Sequence, residues 1–227
     1  MTQGVVAGEE KARLITFEGV DGCGKSTQLR LAAERLRAAG EAVVTTFEPG
    51  DTALGRELRR LLLDGEFVPV PEAELLLFLA DRAQHVREVI APALARGAWV
   101  LCDRYSDSTL AYQLAARQLA DQQIPLHALL NFAECGVRPG LTLWFDLSVE
   151  QAAARMRQRE SSGEAPTRLD DEQAAFHQRV AAAFAQQWQA EPERIARIDA
   201  DRPIADVHGD VCAALARRLP LSAVAAQ

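Results

Sequence analysis

The chain has 227 residues, 48% of them hydrophobic, and a formal net charge of −7. That is enough apolar material for the core of one elaborated domain, or at most two small ones. The negative charge argues against a nucleic-acid surface, so any positive charge that matters must be local. Apolar runs such as Leu75 to Ala80 are too short to span a bilayer.

Met1 to Lys11 lacks the basic start and apolar block of a signal peptide. We expect a disordered tail over 1–11, one domain over 12–218 and a second tail over 219–227. Cys23, Cys102, Cys135 and Cys212 have no paired spacing, which argues against disulfides and zinc and fits a reducing cytoplasm.

Leu14 to Phe17 reads as a short strand, and Glu18 to Thr27 follows as EGVDGCGKST. Gly19, Gly24, Lys25 and Ser26 satisfy the phosphate-loop pattern. Such a loop curls so that backbone N–H groups from Gly19, Val20, Asp21, Gly22, Cys23, Gly24, Lys25, Ser26 and Thr27 can surround phosphate oxygens. The Lys25 ammonium can reach the β- and γ-phosphates of a nucleoside triphosphate, and the Ser26 hydroxyl can hold Mg²⁺. Leu29, Ala32, Ala33 and Leu36 then mark one face of a helix whose positive end points at the same anion. Cys23 occupies a variable place in the loop and is expected to be structural.

Ala42 to Phe47 reads as the second strand and Glu48 to Thr52 as a loop. Ala53 to Leu63 is predicted helical, with Leu54, Leu58, Leu61 and Leu62 inward and Arg56, Arg59 and Arg60 on a solvated face. Pro71 to Ala95 is predicted as helix, bent or broken near Pro92. On it Phe78 and Arg82 lie at i and i+4. They can pack on each other or stack on and hydrogen-bond a flat heterocycle, and spacing leaves both open.

Ala98 to Cys102 is the third strand, ending in Asp103-Arg104-Tyr105. Ligands gather at the carboxyl ends of such strands. There Asp103 can hold Mg²⁺ or its water and Arg104 can grip a phosphate, or the pair can form an internal ion pair with each other or with Lys25. The helix predicted from Ser106 to Asp121 brings Ser108, Thr109, Tyr112 and Gln113 towards the same crevice. Leu141 to Phe145 is the fourth strand, and Ser148 caps the next helix. A basic, glycine-containing stretch follows from Arg155 to Arg168, with Arg157 and Arg159 between them; a mobile lid over about 155–169 is expected. Phe176, Val180, Phe184 and Trp188 line the following helix, Arg194 to Ile198 is the last strand, and Ile204, Val207, Val211 and Leu215 share a face of the final helix.

Strands and helices in alternation predict an α/β three-layer fold: a five-stranded parallel sheet flanked by helices, opened by a phosphate loop. The layout suits a kinase for a small phosphorylated acceptor, with an arginine-rich lid neutralising charge. A nucleotide-dependent switch would want an Asn-Lys-x-Asp guanine reader, but the only asparagine, Asn131, precedes phenylalanine.

From about Leu14 to Leu215 the chain resembles the thymidylate kinase family of P-loop nucleoside monophosphate kinases. The carrying motifs are Phe17 to Gln28, Glu48-Pro49-Gly50, Leu79 to His85, Asp103-Arg104-Tyr105 with Ser108 to Gln113, Pro139 to Leu147, and Phe176 to Val180. The resemblance implies transfer of the γ-phosphoryl group of ATP to dTMP, giving dTDP and ADP on the route to dTTP, with Mg²⁺, in a cytoplasmic homodimer. The alternative is a related kinase for another nucleoside or nucleotide. It further implies that Asp21 binds the sugar 3′-hydroxyl, that Phe78 stacks on thymine and Arg82 hydrogen-bonds its edge, and that Arg104 holds the acceptor phosphate while Asp103 serves the metal. Thr109 and Gln113 would contact the base, and Tyr112 would crowd the sugar 2′ position. Gly22 follows Asp21 where some members have a basic residue, so the lid would supply the arginine, from Arg157, Arg159 or Arg168. The chain departs from the family pattern at Phe47, Asp51, Leu114 and Thr167-Arg168-Leu169-Asp170.

Overall fold

The computed structural model describes residues 13–64, 67–119, 125–161, 167–170 and 172–217, the side chains of Leu126, Arg159 and Glu160 excepted. Both expected tails, and the tip of the expected lid at 162–166, lie outside the described residues. Five strands, β1 (Leu14–Glu18), β2 (Val43–Phe47), β3 (Trp99–Asp103), β4 (Leu141–Asp146) and β5 (Ile195–Asp199), form one sheet in the order β2-β3-β1-β4-β5. Every pairing is parallel, with Phe17 beside both Asp103 and Leu143. All five carboxyl ends therefore open on the same edge.

Both faces of the sheet are covered, which is why its strands are apolar runs rather than alternating ones. Ile15, Phe17 and Leu101 point into one core with Ala32 and Leu36 of α1 (Lys25–Ala38) and Val180 and Phe184 of α8 (Ala174–Ala190). Leu14, Val100 and Cys102 point into the other, against Val86, Ile90 and Leu94. The remaining helices are α2 (Ala53–Leu63), α3 (Pro71–His85), α4 (Ala91–Ala95), α5 (Ser106–Thr109), α6 (Leu126–Ala133), α7 (Val149–Glu160) and α9 (Ile204–Ala216). Ser148 caps α7 as expected, its Oγ accepting from the Gln151 N–H at 3.2 Å.

The structure refines several expectations. The break in the third helical stretch falls before Pro92, as a π-helical turn over Val86–Ile90. Proline lacks an N–H and its ring crowds the carbonyl four residues back, and the widened turn absorbs that clash. A second π-helical segment, Leu110–Ala116, follows the single turn of α5, so the predicted helix from Ser106 is not one regular α-helix. Leu54 and Ile204 are exposed, and Leu63 takes a buried place on α2 instead.

One polar network crosses the core. Asp107, nearly buried, accepts two hydrogen bonds at 2.7 Å from Arg194 and one at 2.8 Å from Thr142, whose hydroxyl also meets Thr16 across β1 and β4. Removing one partner of a buried pair strands the other charge in a poorly solvating interior. Arg194→Met should therefore destabilise the fold by about 3–5 kcal/mol in urea titrations at neutral pH. A loss below about 1 kcal/mol would show that water solvates Asp107 there.

Candidate active site

The phosphate loop joins β1 to α1, and its backbone demands glycine. Gly19 has φ 142°, and a Cβ there would stand 2.6 Å from the Phe145 carbonyl oxygen. Gly24 precedes α1 at φ 95°, so α1 opens without a side-chain cap and presents its first N–H groups to the loop. Lys25 is buried, its Nζ donating to the carbonyls of Gly19 at 3.1 Å and Val20 at 3.0 Å. Ser26 donates to Asp103 Oδ2 at 2.6 Å, which joins the loop to the end of β3.

Arg104 follows with φ 71°, a left-handed conformation uncommon for a residue bearing a Cβ. Its guanidinium donates to Gly19 O at 3.1 Å, Ser108 Oγ at 3.0 Å, Asp21 Oδ1 at 2.5 Å and the Tyr112 hydroxyl at 3.2 Å. Burial opposes the charged form of Asp21, but the Arg104 guanidinium and the Lys25 ammonium outweigh it and hold the carboxyl well below its usual range. Burial also keeps the Tyr112 phenol protonated, and it donates to Asp21 Oδ2 at 3.1 Å.

Phe78 and Arg82 of α3 reach the same cleft, which measures about 810 Å³ and extends from the loop to α2 and α3. That is room for a nucleotide-sized ligand and more. Arg82 is 2% exposed, and its guanidinium is clamped. Nε donates to Glu48 Oε2 at 2.9 Å, Nη2 stands 2.9 Å from the same oxygen in an ion pair, Nη1 donates to Thr109 Oγ1 at 2.9 Å, and the group lies over the Tyr105 ring at 4.9 Å. Tyr112 and Gln113 line the cleft from the π-helical segment.

The arginines of the expected lid diverge. Arg168 donates to Glu74 Oε2 at 2.6 Å and to the Leu62 carbonyl at 3.0 Å, away from Lys25. Arg155 donates to the Ala200 carbonyl at 3.0 Å. Arg157 is exposed and borders a smaller cavity of about 260 Å³ that Asp21 also lines. The Arg159 side chain lies outside the description.

The fold also supplies site residues that sequence reasoning passed over. Arg59, expected on a solvated face, is half-buried, lines the cleft, donates to the Pro49 carbonyl at 2.8 Å and stacks over Phe47. Glu18 is fully buried behind the site and accepts from the Tyr105 N–H at 2.7 Å and from Ser108 Oγ at 2.5 Å. Ser108 thus relays Glu18 to Arg104. A carboxylate closing a buried apolar strand directly before a phosphate loop is a signal that could have found it. Glu74, at 1% exposed on the first turn of α3, collects Gln113, Arg117 and Arg168. Among the described residues, Glu48, His85 and Cys102 have ligand-type atoms close together. Glu48 and His85 are instead committed to hydrogen bonds with Arg82, Thr46 and each other.

The thymidylate kinase family model matches residues 17–211. The chain belongs to the thymidylate kinase family. It is 48% identical over 209 residues to the thymidylate kinase of Synechococcus sp. (strain JA-2-3B'a(2-13)), covering 92% of this chain and 96% of that one. With the thymidylate kinase of Syntrophus aciditrophicus (strain SB) it shares 45% identity over 207 residues, 88% of this chain and 93% of the relative. The crystal structure of thymidylate kinase from Ehrlichia chaffeensis superposes with a TM-score of 0.67 at 30% identity, over 90% of this chain and 98% of that one. For a thymidylate kinase family member, then, the phosphate loop, the Asp103-Arg104 pair and the Phe78/Arg82 wall form one continuous cleft.

Burial, helped by the neighbouring Asp107 carboxylate, pushes the Glu18 carboxyl up from 4.5 to about 7. The folded state then keeps a proton that the unfolded chain loses above pH 4.5, so this group's contribution to stability falls as pH rises from about 4.5 to about 7. Asp81, raised to about 6 by burial and Glu48, acts with the same sign over a lower range. Denaturant midpoints measured from pH 4.5 to 8 should fall less between pH 6 and 7 for Glu18→Gln than for wild type. Equal falls would mean that Glu18 ionises normally.

Proposed function

We propose that the cleft transfers the γ-phosphoryl group of ATP to dTMP, releasing dTDP and ADP, and that its residues divide the work as follows. The supporting observation is that Lys25, Arg104 and the Phe78/Arg82 wall face one cleft in a member of the thymidylate kinase family. The chain is a dTMP kinase and ATP is its donor.

A dTMP phosphate oxygen attacks the γ-phosphorus in line, the bond to the β–γ bridging oxygen breaks, and that oxygen leaves on ADP. Charge spreads over the transferring group, so the protein contributes position and compensating charge more than covalent chemistry. Loop N–H groups from Gly19 to Thr27 and the Lys25 ammonium hold the β- and γ-phosphates. Arg104 holds the acceptor phosphate, at the centre of its bonds to Gly19, Asp21, Ser108 and Tyr112. Arg59 adds a further cation to the cleft wall.

Ser26 and Asp103 would hold Mg²⁺. Their hydroxyl and carboxylate oxygens, 2.6 Å apart on the cleft wall, are the hard donors this ion prefers. When bound, the ion neutralises charge across the β- and γ-phosphate oxygens. Phe78 stacks on the base, and the clamped Arg82 directs its remaining N–H groups to the base carbonyl edge. Thr109 and Gln113 complete the base pocket. Asp21 meets the sugar 3′-hydroxyl and Tyr112 crowds the 2′ position.

The segment of about 155–169 acts as the lid. Arg155 and Arg168 are engaged elsewhere, which favours Arg157 as the arginine brought to the phosphates, with Arg159 next. A homodimer is supported by exposed apolar side chains on the packed pair α3 and α6, Leu76 and Phe132, and by Val68 and Val70 just before α3. A cytoplasmic setting is supported by four free cysteines, and no described helix is long and apolar enough to cross a membrane.

The direct experiment is coupled ADP release with dTMP, dUMP, dCMP, AMP and thymidine as acceptors, using wild type and Lys25→Ala. Wild type should prefer dTMP, and Lys25→Ala should lose at least about a hundredfold in kcat with an unchanged melting profile. Near-normal turnover in the folded variant would sink the mechanism. For the lid, Arg157→Ala should lower kcat about tenfold or more while the dTMP KM stays within about threefold. An unchanged kcat would move the role to Arg159 or Arg104.

A further inference from the structure

The reaction above makes no use of Glu74, yet it is among the most deeply engaged charges in the protein. It is 1% exposed, and it accepts four hydrogen bonds from three residues that lie 39 to 94 positions further along the chain. Arg117 grips it through both carboxylate oxygens, at 3.1 Å to Oε1 and 3.0 Å to Oε2. Arg168, at the far end of the lid segment, donates to Oε2 at 2.6 Å. Gln113, on the cleft wall, donates its Nε2 to Oε1 at 3.1 Å. Burial alone would raise the Glu74 carboxyl, but hydrogen bonds from Arg117, Gln113 and Arg168 outweigh it and hold it below its usual range. Glu74 is therefore ionised at neutral pH.

An ionised carboxylate accepts hydrogen bonds and donates none. A glutamine side chain beside it has no choice of orientation. Its amino group turns to the carboxylate and its carbonyl oxygen turns away. Gln113 is held in this way, and among the described residues no donor is bonded to its Oε1. Because Gln113 lines the cleft, an acceptor is what it offers a ligand there.

We propose that Glu74 is a positioning residue for acceptor choice: by fixing the Gln113 amide with its carbonyl towards the cleft, it makes the base pocket select a pyrimidine carrying a ring N–H donor over one carrying a bare ring nitrogen. Thymine and uracil have that N3–H. Cytosine presents a lone pair at N3 and meets the Gln113 oxygen lone pair to lone pair. The inference rests on the dTMP kinase reading and adds to it the residue that sets the polarity of the site. Through Arg168 the same carboxylate ties the lid's C-terminal foot to the base pocket, since Arg168 also donates to the Leu62 carbonyl at 3.0 Å.

The test is kcat/KM for dTMP and for dCMP, at saturating ATP, in wild type, Glu74→Gln, Glu74→Asp and Arg117→Met. Glu74→Gln has the same shape but can donate as well as accept, so Gln113 is free to turn its amino group to the cleft. The dTMP-to-dCMP ratio should shrink at least about fivefold in this variant, the scale set by one unsatisfied buried polar group. Glu74→Asp keeps an acceptor-only carboxylate and should retain the ratio, and Arg117→Met, which leaves the Glu74–Gln113 bond in place, should retain it too. A loss shared equally by both nucleotides in Glu74→Gln, or no loss, overturns the inference, because a purely structural lesion does not distinguish the two bases. If Glu74→Gln fails to fold, Gln113→Met replaces it: removing the oriented carbonyl must shrink the dTMP-to-dCMP ratio at least about fivefold, leaving the part that Arg82 sets, and an intact ratio overturns the inference. Wild-type enzyme that phosphorylates neither nucleotide would overturn the function itself, a distinguishable result.

Discussion

Arg104 sits in a left-handed backbone conformation at the end of β3, and the two halves of the cleft meet at its side chain. A residue with a Cβ is held there at a cost of about 1–3 kcal/mol, so the surroundings must over-determine it. They do. The Arg104 N–H donates to the Phe17 carbonyl at 3.0 Å, continuing the β1–β3 ladder one residue past its end. The guanidinium then joins the phosphate loop, through Gly19 and Asp21, to α5 and the π-helical segment, through Ser108 and Tyr112. The phosphate-loop side and the π-helical side of the cleft thus share one hub.

A common device supports the cationic groups of the site. Several have a carboxylate against them: Glu48 clamps Arg82, Asp21 pairs with Arg104, and beside the cleft Glu74 gathers Arg117 and Arg168. A long side chain fixed this way loses its rotamer freedom during folding rather than during catalysis, which is how charges come to be ready for a short-lived, highly charged transition state.

Much of this was legible in the sequence because the signals are local. Each strand is a short apolar run beside turn residues, and all five fall within a residue or two of the expected positions. The phosphate loop and the Asp103-Arg104 pair are contiguous motifs at strand ends, where topology decides their place. Glu74 was not legible. Its partners Gln113, Arg117 and Arg168 lie 39, 43 and 94 residues away, and on one helix it resembles any first-turn acid. Arg59 was hidden for a related reason: helical periodicity gives the face of α2 but not what covers that face. The two π-helical segments left no trace either, since one extra residue per turn disturbs a hydrophobic pattern less than ordinary substitution does.

The sheet has one further consequence. Since its strands all run the same way, every strand-to-helix turn falls on the edge that carries the cleft, and every helix-to-strand turn falls on the opposite edge. The two edges carry different burdens. At the first, the turns hold the phosphate loop, Arg104 and much of the cleft lining, so a change in loop length moves groups that line it. At the second, Gly40, Gly97 and Gly136 hold φ of 87°, 77° and 80°, so the backbone still asks for glycine, yet an added Cβ there meets no atom within 4 Å. That open edge, the full height of the sheet away from the cleft, is where a tag or a surface can be attached without touching the lining.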